Sequence, residues 1–472
     1  MRKNVIISYL EGVFDTTAGD SYAKILRYFY PEFVSSLVLY SALYLLDARF
    51  IADLESTPMY ATLGLSNTFL HFIVKIAEAS ALSVTVLCGQ FNGAGKYSEV
   101  GRAFVEAFWV VVVVGASIAA FLFFGAYYIY YFLGVPANMI YLGVPFLRLR
   151  AIGIFLMFVY LACAALMRAL KNTRMPMYIF GVGAVLFIFF DYILIFGYFG
   201  FPQLGLMGSA WATVVQYAVM VALAMGGIML TSYRTTYHIR LFSGLLHREY
   251  IVRIFSLSWP MIIDKATVAG SYIWLGKMIA PMGMYAIASY TVIKDMERFA
   301  FLPAVALAQI ITFLVSNDFG KHNWRGISAN IKRVVFLSSI MVFILLLTFS
   351  LYPDFFIHFF DPKRAFTQFA ARIFPLLSVF VFFDLVQLIF SGALRGAGDV
   401  RMVMWTRLIV CIGFICPVTY AIAVFVPSSD LAFKFFIMYA SFYIGSAIMS
   451  IVYVRHFRTG NWSLRETQKE SL

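Results

Sequence analysis

Hydrophobic runs long enough to cross a bilayer recur along the chain, with short polar interruptions between them. At roughly 20 apolar residues per crossing, the pattern predicts twelve helices, at 31–54, 60–88, 102–132, 139–167, 175–197, 205–231, 251–280, 283–315, 327–352, 366–394, 402–426 and 431–454. The interruptions carry the charge unevenly. The termini and the loops after even-numbered spans hold 23 Lys and Arg, whereas the opposite loops hold three, Lys363, Arg364 and Lys434. Basic residues collect on the cytoplasmic side, so both termini are predicted there, in a multi-pass protein of the inner (cytoplasmic) membrane.

Composition agrees with this. The chain is 62% hydrophobic and 12% charged, with a mean hydropathy of +0.85, far from the soluble average of about 45–50% apolar and 25% charged. A net charge of +13 points in a soluble protein to nucleic acid; here it is assigned to loop anchors near anionic lipid, and no nucleic-acid partner is expected. The 50 Phe and 29 Tyr suit tight packing, interfacial belts or a cavity for flat organic molecules. Cys88, Cys163, Cys411 and Cys416 lie in apolar runs without metal-ligand spacing. The start, Met1 to Arg27, lacks the apolar core and small-residue cleavage site of a secretory signal.

The chain also repeats itself. Arg168-Ala-Leu-Lys-Asn-Thr-Arg174-Met-Pro-Met has the spacing of Arg395-Gly-Ala-Gly-Asp-Val-Arg401-Met-Val-Met about 227 residues later. Pro31 pairs with Pro260, Gly95-Lys96 with Gly320-Lys321, and Pro145 with Pro375. Six spans per half is even, so both halves share one orientation. The predicted fold class is an all-α integral membrane protein, with twelve transmembrane helices in two six-helix bundles related by a pseudo-two-fold along the membrane normal. Its parts are a cytoplasmic N-terminal segment (1–30), an N-half bundle (31–232), a cytoplasmic linker (233–250), a C-half bundle (251–456) and a cytoplasmic tail (457–472).

Charge inside apolar spans singles out further residues, because a carboxylate in hydrocarbon is costly and is kept for use. Asp47 follows Leu43-Tyr-Leu-Leu46, Asp191 follows Phe187-Ile-Phe-Phe190, and Asp384 opens Asp384-Leu-Val-Gln387-Leu-Ile-Phe-Ser-Gly-Ala-Leu-Arg395-Gly-Ala-Gly-Asp399. Asn67, His71, Lys75, Glu78 and Thr85 fall within a narrow arc of span two at about 100° per residue. That stripe is either an internal Lys75–Glu78 ion pair bracing the bundle or a polar cavity wall in which His71 changes charge near neutral pH. In span eight, Lys294-x-x-Glu297 echoes Lys75-x-x-Glu78. The basic loops at Arg168 and Arg395 are expected to be anchors that also cap helix ends.

Two six-helix halves, with Gly93-Ala-Gly-Lys96 after span two and Gly392-Ala-Leu-Arg-Gly-Ala-Gly-Asp399 after span ten, resemble the multidrug and toxic compound extrusion (MATE) family. So do Asp191-Tyr-Ile-Leu-Ile-Phe-Gly197 and Leu204-Gly-Leu-Met-Gly-Ser-Ala-Trp-Ala-Thr213. The resemblance runs from Pro31 to the end of span twelve. It implies a V-shaped pair of bundles that exports small organic compounds by alternating access, driven by sodium or proton inflow, as a monomer in membrane lipid and without a cofactor. It also implies that Asp47 and Asp191 form an N-half proton or cation site. Two carboxylates held together away from water oppose the doubly charged state, and either protons or a possible sodium ion at Asp47 and Asp191 relieve it. Ser209, Thr213 and Gln216 are candidate additional ligands. Phe187 stands where the DinF-like branch has an asparagine, which favours the proton. Asp384, with Gln387 one turn on, matches the tenth-span acid of the NorM-like branch. That branch's seventh-span glutamate is replaced by Val268, leaving Asp264 as a substitute partner.

The chain is therefore expected to be a secondary active antiporter and not an enzyme. A lipid-linked oligosaccharide flippase of the same superfamily is the alternative, and should show a large cationic groove. A membrane-embedded transferase needs a His/Asp or Cys/His constellation at one membrane face, which the sequence does not display.

Overall fold

Within a bilayer every backbone N–H and C=O must be satisfied inside the protein, which leaves helices as the available solution for long apolar runs. The computed structural model describes residues 13–14, 18–38, 43–132, 134–241, 247–360, 364, 366–427, 430–460 and 462, and these form helices and turns with no strand. The helices are α1 (Tyr22–Leu37), α2 (Leu43–Ala52), α3 (Thr57–Gly93), α4 (Tyr97–Phe132), α5 (Ala137–Ala169), α6 (Arg174–Phe196), α7 (Leu206–Met229), α8 (Ser232–Thr236), α9 (Arg248–Ile279), α10 (Met284–Gly320), α11 (Trp324–Leu351), α12 (Pro353–Phe360), α13 (Thr367–Gly396), α14 (Val400–Val410), α15 (Cys416–Phe425) and α16 (Leu431–Thr459).

Among the described residues, ten helices are long and apolar enough to span a membrane, counting Val400–Phe425 as one. That one contains a π turn at Cys411–Ile415 just before Pro417, where the proline supplies no N–H to the preceding turn. The two remaining predicted crossings also have their helices. Helices α1 and α2 cover the first, beginning at Tyr22 and with 39–42 outside the described residues. Helix α9 covers the seventh, its apolar run interrupted by Arg253, Asp264, Lys265 and Lys277.

The chain divides into two compact units: Tyr30–Ile262, and Ile263–Leu472 together with Met1–Phe29. In the first, the fourth predicted span (α5) packs against α3, α4 and α7; in the second, its counterpart α13 packs against α10, α11 and α16. Glycines set the closest approach. A Cβ on Gly396 would lie 2.4 Å from the Thr312 carbonyl oxygen and one on Gly392 2.8 Å from that of Ala308, while Thr312 Oγ1 donates to the Gly392 carbonyl at 3.0 Å. Helix α13 runs through Gly396, so much of the glycine motif expected in a loop is helical packing surface. Such contacts matter in lipid, where helices gain little from burying apolar area against one another.

The polar connections are docked as well. Beside Gly101 of α4, the Tyr237 carbonyl oxygen would lie 1.9 Å from an added Cβ. Trp109 Nε1 donates to the Leu241 carbonyl at 2.9 Å, and Glu106 Oε1 accepts from the His247 backbone N–H at 2.7 Å. In the other unit the Asp20 backbone N–H donates to Asn330 Oδ1 and Arg333 Nη1 to the Asp20 carbonyl, both at 2.7 Å. Lys434, expected as a loop charge, is buried, and its Nζ donates to the carbonyls of Ala423 at 2.9 Å and Val426 at 2.8 Å, closing the end of α15. Lys363 lies outside the described residues.

Replacing Gly396 with Leu forces α13 away from α10, and we expect a loss of about 1–3 kcal/mol, seen as a lower unfolding temperature in detergent. Gly64→Ala is the control: nothing lies within 4 Å of its Cβ position, and stability should stay within about 1 kcal/mol of the parent, the Gly-to-Ala helix preference itself being of that size.

Candidate functional site

Five helices of the Tyr30–Ile262 unit bring polar side chains together: Asp47 from α2, Asn67 from α3, Arg150 from α5, Asp191 from α6, and Ser209 and Thr213 from α7. One turn along each helix lies a residue of a single apolar cluster. Ile51 follows Asp47, Leu63 precedes Asn67, Phe146 precedes Arg150, Ile195 follows Asp191, and Leu206 precedes Ser209. Because a helical turn is 3.6 residues, these offsets place the polar groups in one layer and the apolar plug on one side of it.

The acids in that layer are buried, Asp47 at 3% and Asp191 at 0% exposure. Asp191 accepts no hydrogen bond on either oxygen and Asp47 accepts none on Oδ1, while the Ser209 hydroxyl lies close enough to the Asp47 carboxylate to act on it. The two carboxylates lie within electrostatic reach of each other, and Arg150 lies within reach of both. The Arg150 guanidinium donates to Thr213 Oγ1 and, at 3.3 Å, to Asn67 Oδ1. Thr213 Oγ1 in turn donates to the Ser209 carbonyl at 3.1 Å. Gln216 is buried one turn farther along α7, against Gly183 of α6. The sequence expectation thus brought Asp47, Asp191, Ser209 and Thr213 together but omitted Arg150. The available signal was the pair Arg148-Leu-Arg150 in the middle of an apolar span.

The second unit treats its charges differently. Asp264 is fully engaged: Arg395 Nη2 donates to its Oδ2 at 2.5 Å, and Arg407 Nε forms an ion pair with its Oδ1, out of line for a hydrogen bond. Arg407 Nη2 donates to Gln387 Oε1 at 2.9 Å, Gln387 Nε2 to Asp384 Oδ1 at 3.0 Å, and Ser446 Oγ to the same oxygen at 2.9 Å. One connected network therefore joins Asp264 to Asp384.

Arg395 is not the surface anchor the loop suggested; it is buried by its pairing with Asp264. Arg168 departs from expectation in the same way, its Nε donating to the buried Glu32 at 2.7 Å. In both halves, then, a first-helix carboxylate holds an arginine at the end of the central fourth helix.

In α3 the expected Lys75–Glu78 ion pair forms, with Nζ 3.0 Å from Oε2, as a contact within one helix. His71 is exposed, whereas Thr85 is buried and donates to the Ala165 carbonyl at 3.2 Å, so the stripe is divided between surface and core. The echo in α10 differs: Lys294 Nζ lies 5.3 Å from the Tyr290 ring centroid, and buried Glu297 accepts from Tyr439 Oη at 2.5 Å.

The MatE family model matches residues 33–193 and 260–421, segments that each run from the first to the fifth span of one half. Among relatives, the probable multidrug resistance protein NorM of Thermotoga maritima is 23% identical over 338 residues, 71% of this chain and 72% of that one. The multidrug resistance protein NorM of Vibrio cholerae is 22% identical over 327 residues, 68% and 70% of the two chains. Among solved structures, a MATE crystal structure in the bent conformation aligns with a TM-score of 0.84 at 17% identity, over 94% of this chain and 96% of its own. A MOP superfamily transporter from Pyrococcus furiosus, described as having a binding pocket of reverse polarity, aligns at 0.84 and 15% identity over 95% and 97%. These structural likenesses carry the fold.

Removing one member of a buried ion pair strands the other. Asp264→Ala leaves Arg395 and Arg407 without their shared carboxylate, and we expect it to destabilise the protein by about 3–5 kcal/mol. Thermal unfolding followed by size-exclusion chromatography checks this, with Glu78→Ala, whose partner lies on the same half-buried helix face, expected to cost under about 1 kcal/mol.

Proposed function

The chain belongs to the MatE family of transporters, and from that premise we propose that it is a secondary active antiporter. It exports small organic compounds across the cytoplasmic membrane by alternating access, coupled to proton inflow through Asp47 and Asp191. The single observation that carries this reading is the pair of buried carboxylates with three unpartnered oxygens. A carboxylate out of water and without a donor is unstable as an anion and must take a proton or a cation. Compulsory neutralisation is what a coupling site requires.

The asymmetry of Lys and Arg supports cytoplasmic termini, and with that orientation the cluster of Ile51, Leu63, Phe146, Ile195 and Leu206 lies on the outer side of the acids. An ion arriving from outside meets this apolar plug first. Its neutralising charge then removes the repulsion between Asp47 and Asp191 and changes which packing of α2 against α6 and α7 is favoured, the differential interaction that any ligand-driven population shift needs. The substrate class follows from the relatives named as multidrug resistance proteins.

Asp384 has a supporting role in this scheme, since its Oδ1 already accepts from Gln387 and Ser446. The flippase alternative loses ground because Arg395 and Arg407, two of the buried cations of the second unit, share the carboxylate of Asp264 and so add little to a cationic groove.

The test is efflux of a fluorescent organic cation from proteoliposomes under an imposed pH gradient, with a sodium gradient in parallel. We expect Asp47→Asn and Asp191→Asn each to lower pH-driven efflux by about tenfold or more, a change worth about 1.4 kcal/mol in the transition state, and Asp384→Asn to lower it less. Undiminished efflux in both N-half variants removes these acids from the mechanism, and efflux driven by sodium alone replaces the proton.

A further inference from the structure

We infer that Arg150 is a tethered counter-cation that offsets one of the two carboxylate charges in the Asp47–Asp191 layer and makes the site select a proton over sodium. The inference rests on the proposal that this pair is the coupling site, and it concerns a residue that neither the motifs nor the spacing of acids singled out.

Three contacts pin the guanidinium. Its N–H groups donate to Thr213 Oγ1 on α7 and Asn67 Oδ1 on α3, and its Cζ lies 5.5 Å from the Phe146 ring centroid one turn earlier on α5. A guanidinium presents its donors in a rigid planar fork, so partners on two other helices hold it in place. From there it reaches both acids electrostatically, and it also reaches the Tyr217 phenol, which lies close enough to Glu78 to feel that charge. Yet it donates no hydrogen bond to Asp191, whose two oxygens remain unpartnered. Its charge is applied to the pair while the atoms that would take a proton stay free.

Two consequences follow. Two carboxylates and one guanidinium leave a single net negative charge, which one proton neutralises. A hard metal cation brings the same charge but needs a shell of oxygen ligands, and two of the neutral side-chain oxygens in the layer are already engaged, leaving the Ser209 hydroxyl beside Asp47 as the remaining one. Thr213 Oγ1 and Asn67 Oδ1 accept from Arg150, and the Thr213 hydroxyl proton is committed to the Ser209 carbonyl. Phe187, one turn before Asp191, contributes no ligand. A cation arriving here would also face the fixed positive charge of Arg150, whereas a proton needs one carboxylate oxygen and no shell.

A role limited to cross-bracing α3, α5 and α7 would give Arg150 no bearing on ion identity, and sodium binding separates the two. The full chain, purified in detergent, is heated in sodium chloride or in choline chloride at equal ionic strength. The parent protein should show no sodium-specific stabilisation. Arg150→Gln should gain one of about 2 °C or more, abolished by adding Asp191→Asn, and Arg150→Lys, which keeps the charge, should stay insensitive. Arg150→Met carries the same expectation if the glutamine variant does not fold. Sodium-specific stabilisation of the parent that Asp191→Asn removes overturns the inference, as does a folded, charge-free variant that remains insensitive. If the charge-free variant binds sodium while Asp47→Asn and Asp191→Asn leave efflux intact, the selectivity inference stands and the coupling proposal falls.

Discussion

A charge removed from water must be answered by another charge, a hydrogen-bond network or a proton, and the arrangement of this protein follows from how each buried charge is answered. Glu32 and Arg168 answer each other across the first and fourth spans of one half, and Asp264 with Arg395 does the same in the other. Glu297 is met by the Tyr439 phenol. Asp191 stands apart, with neither oxygen partnered, a second buried carboxylate, Asp47, within electrostatic reach, and an arginine that is near without being bonded to it. Satisfied ion pairs are costly to break and hold a fold in place, whereas unsatisfied acids respond to whatever can neutralise them. That difference assigns structure to the first group and, under the proposed function, ion response to the second.

Duplication explains why the same parts occur twice and why they need not do the same work. Each half places its fourth span at the centre of its unit and ends that span with an arginine held by a first-helix carboxylate. Beyond that frame the halves diverge. In the second unit Arg407 extends the ion pair through Gln387 to Asp384, so that its acids are committed to a network. In the first unit the additional arginine, Arg150, spends its donors on Thr213 and Asn67 and leaves the acids open. The contrast follows from where one guanidinium points.

Packing makes this possible at membrane depth. Lipid offers helices little hydrophobic reason to associate, so close backbone approach and interhelical hydrogen bonds carry more of the association. The contact of Gly392 and Gly396 with Ala308 and Thr312 joins the central helix of the second unit to α10. The layer of Ile51, Leu63, Phe146, Ile195 and Leu206 serves the first unit as a packing contact and, in the proposed mechanism, as the plug over the acids.

Helix number, the internal repeat, the family and the identity of the intramembrane acids were all legible along the chain, because each is a one-dimensional property: run length, spacing, or a charged letter among apolar ones. Asp47 and Asp191 stand out in that way without any coordinates. What the chain order could not supply was partnership. Arg150 and Arg407 are single letters in long spans, and Arg168 and Arg395 read as loop anchors. Whether each meets a carboxylate, an amide or solvent depends on the rotation and depth of helices distant in sequence. The tertiary structure alone decided that Asp264 is ion-paired and Asp191 is not, since a counter-charge acts through a few ångströms of space and not through position along the chain.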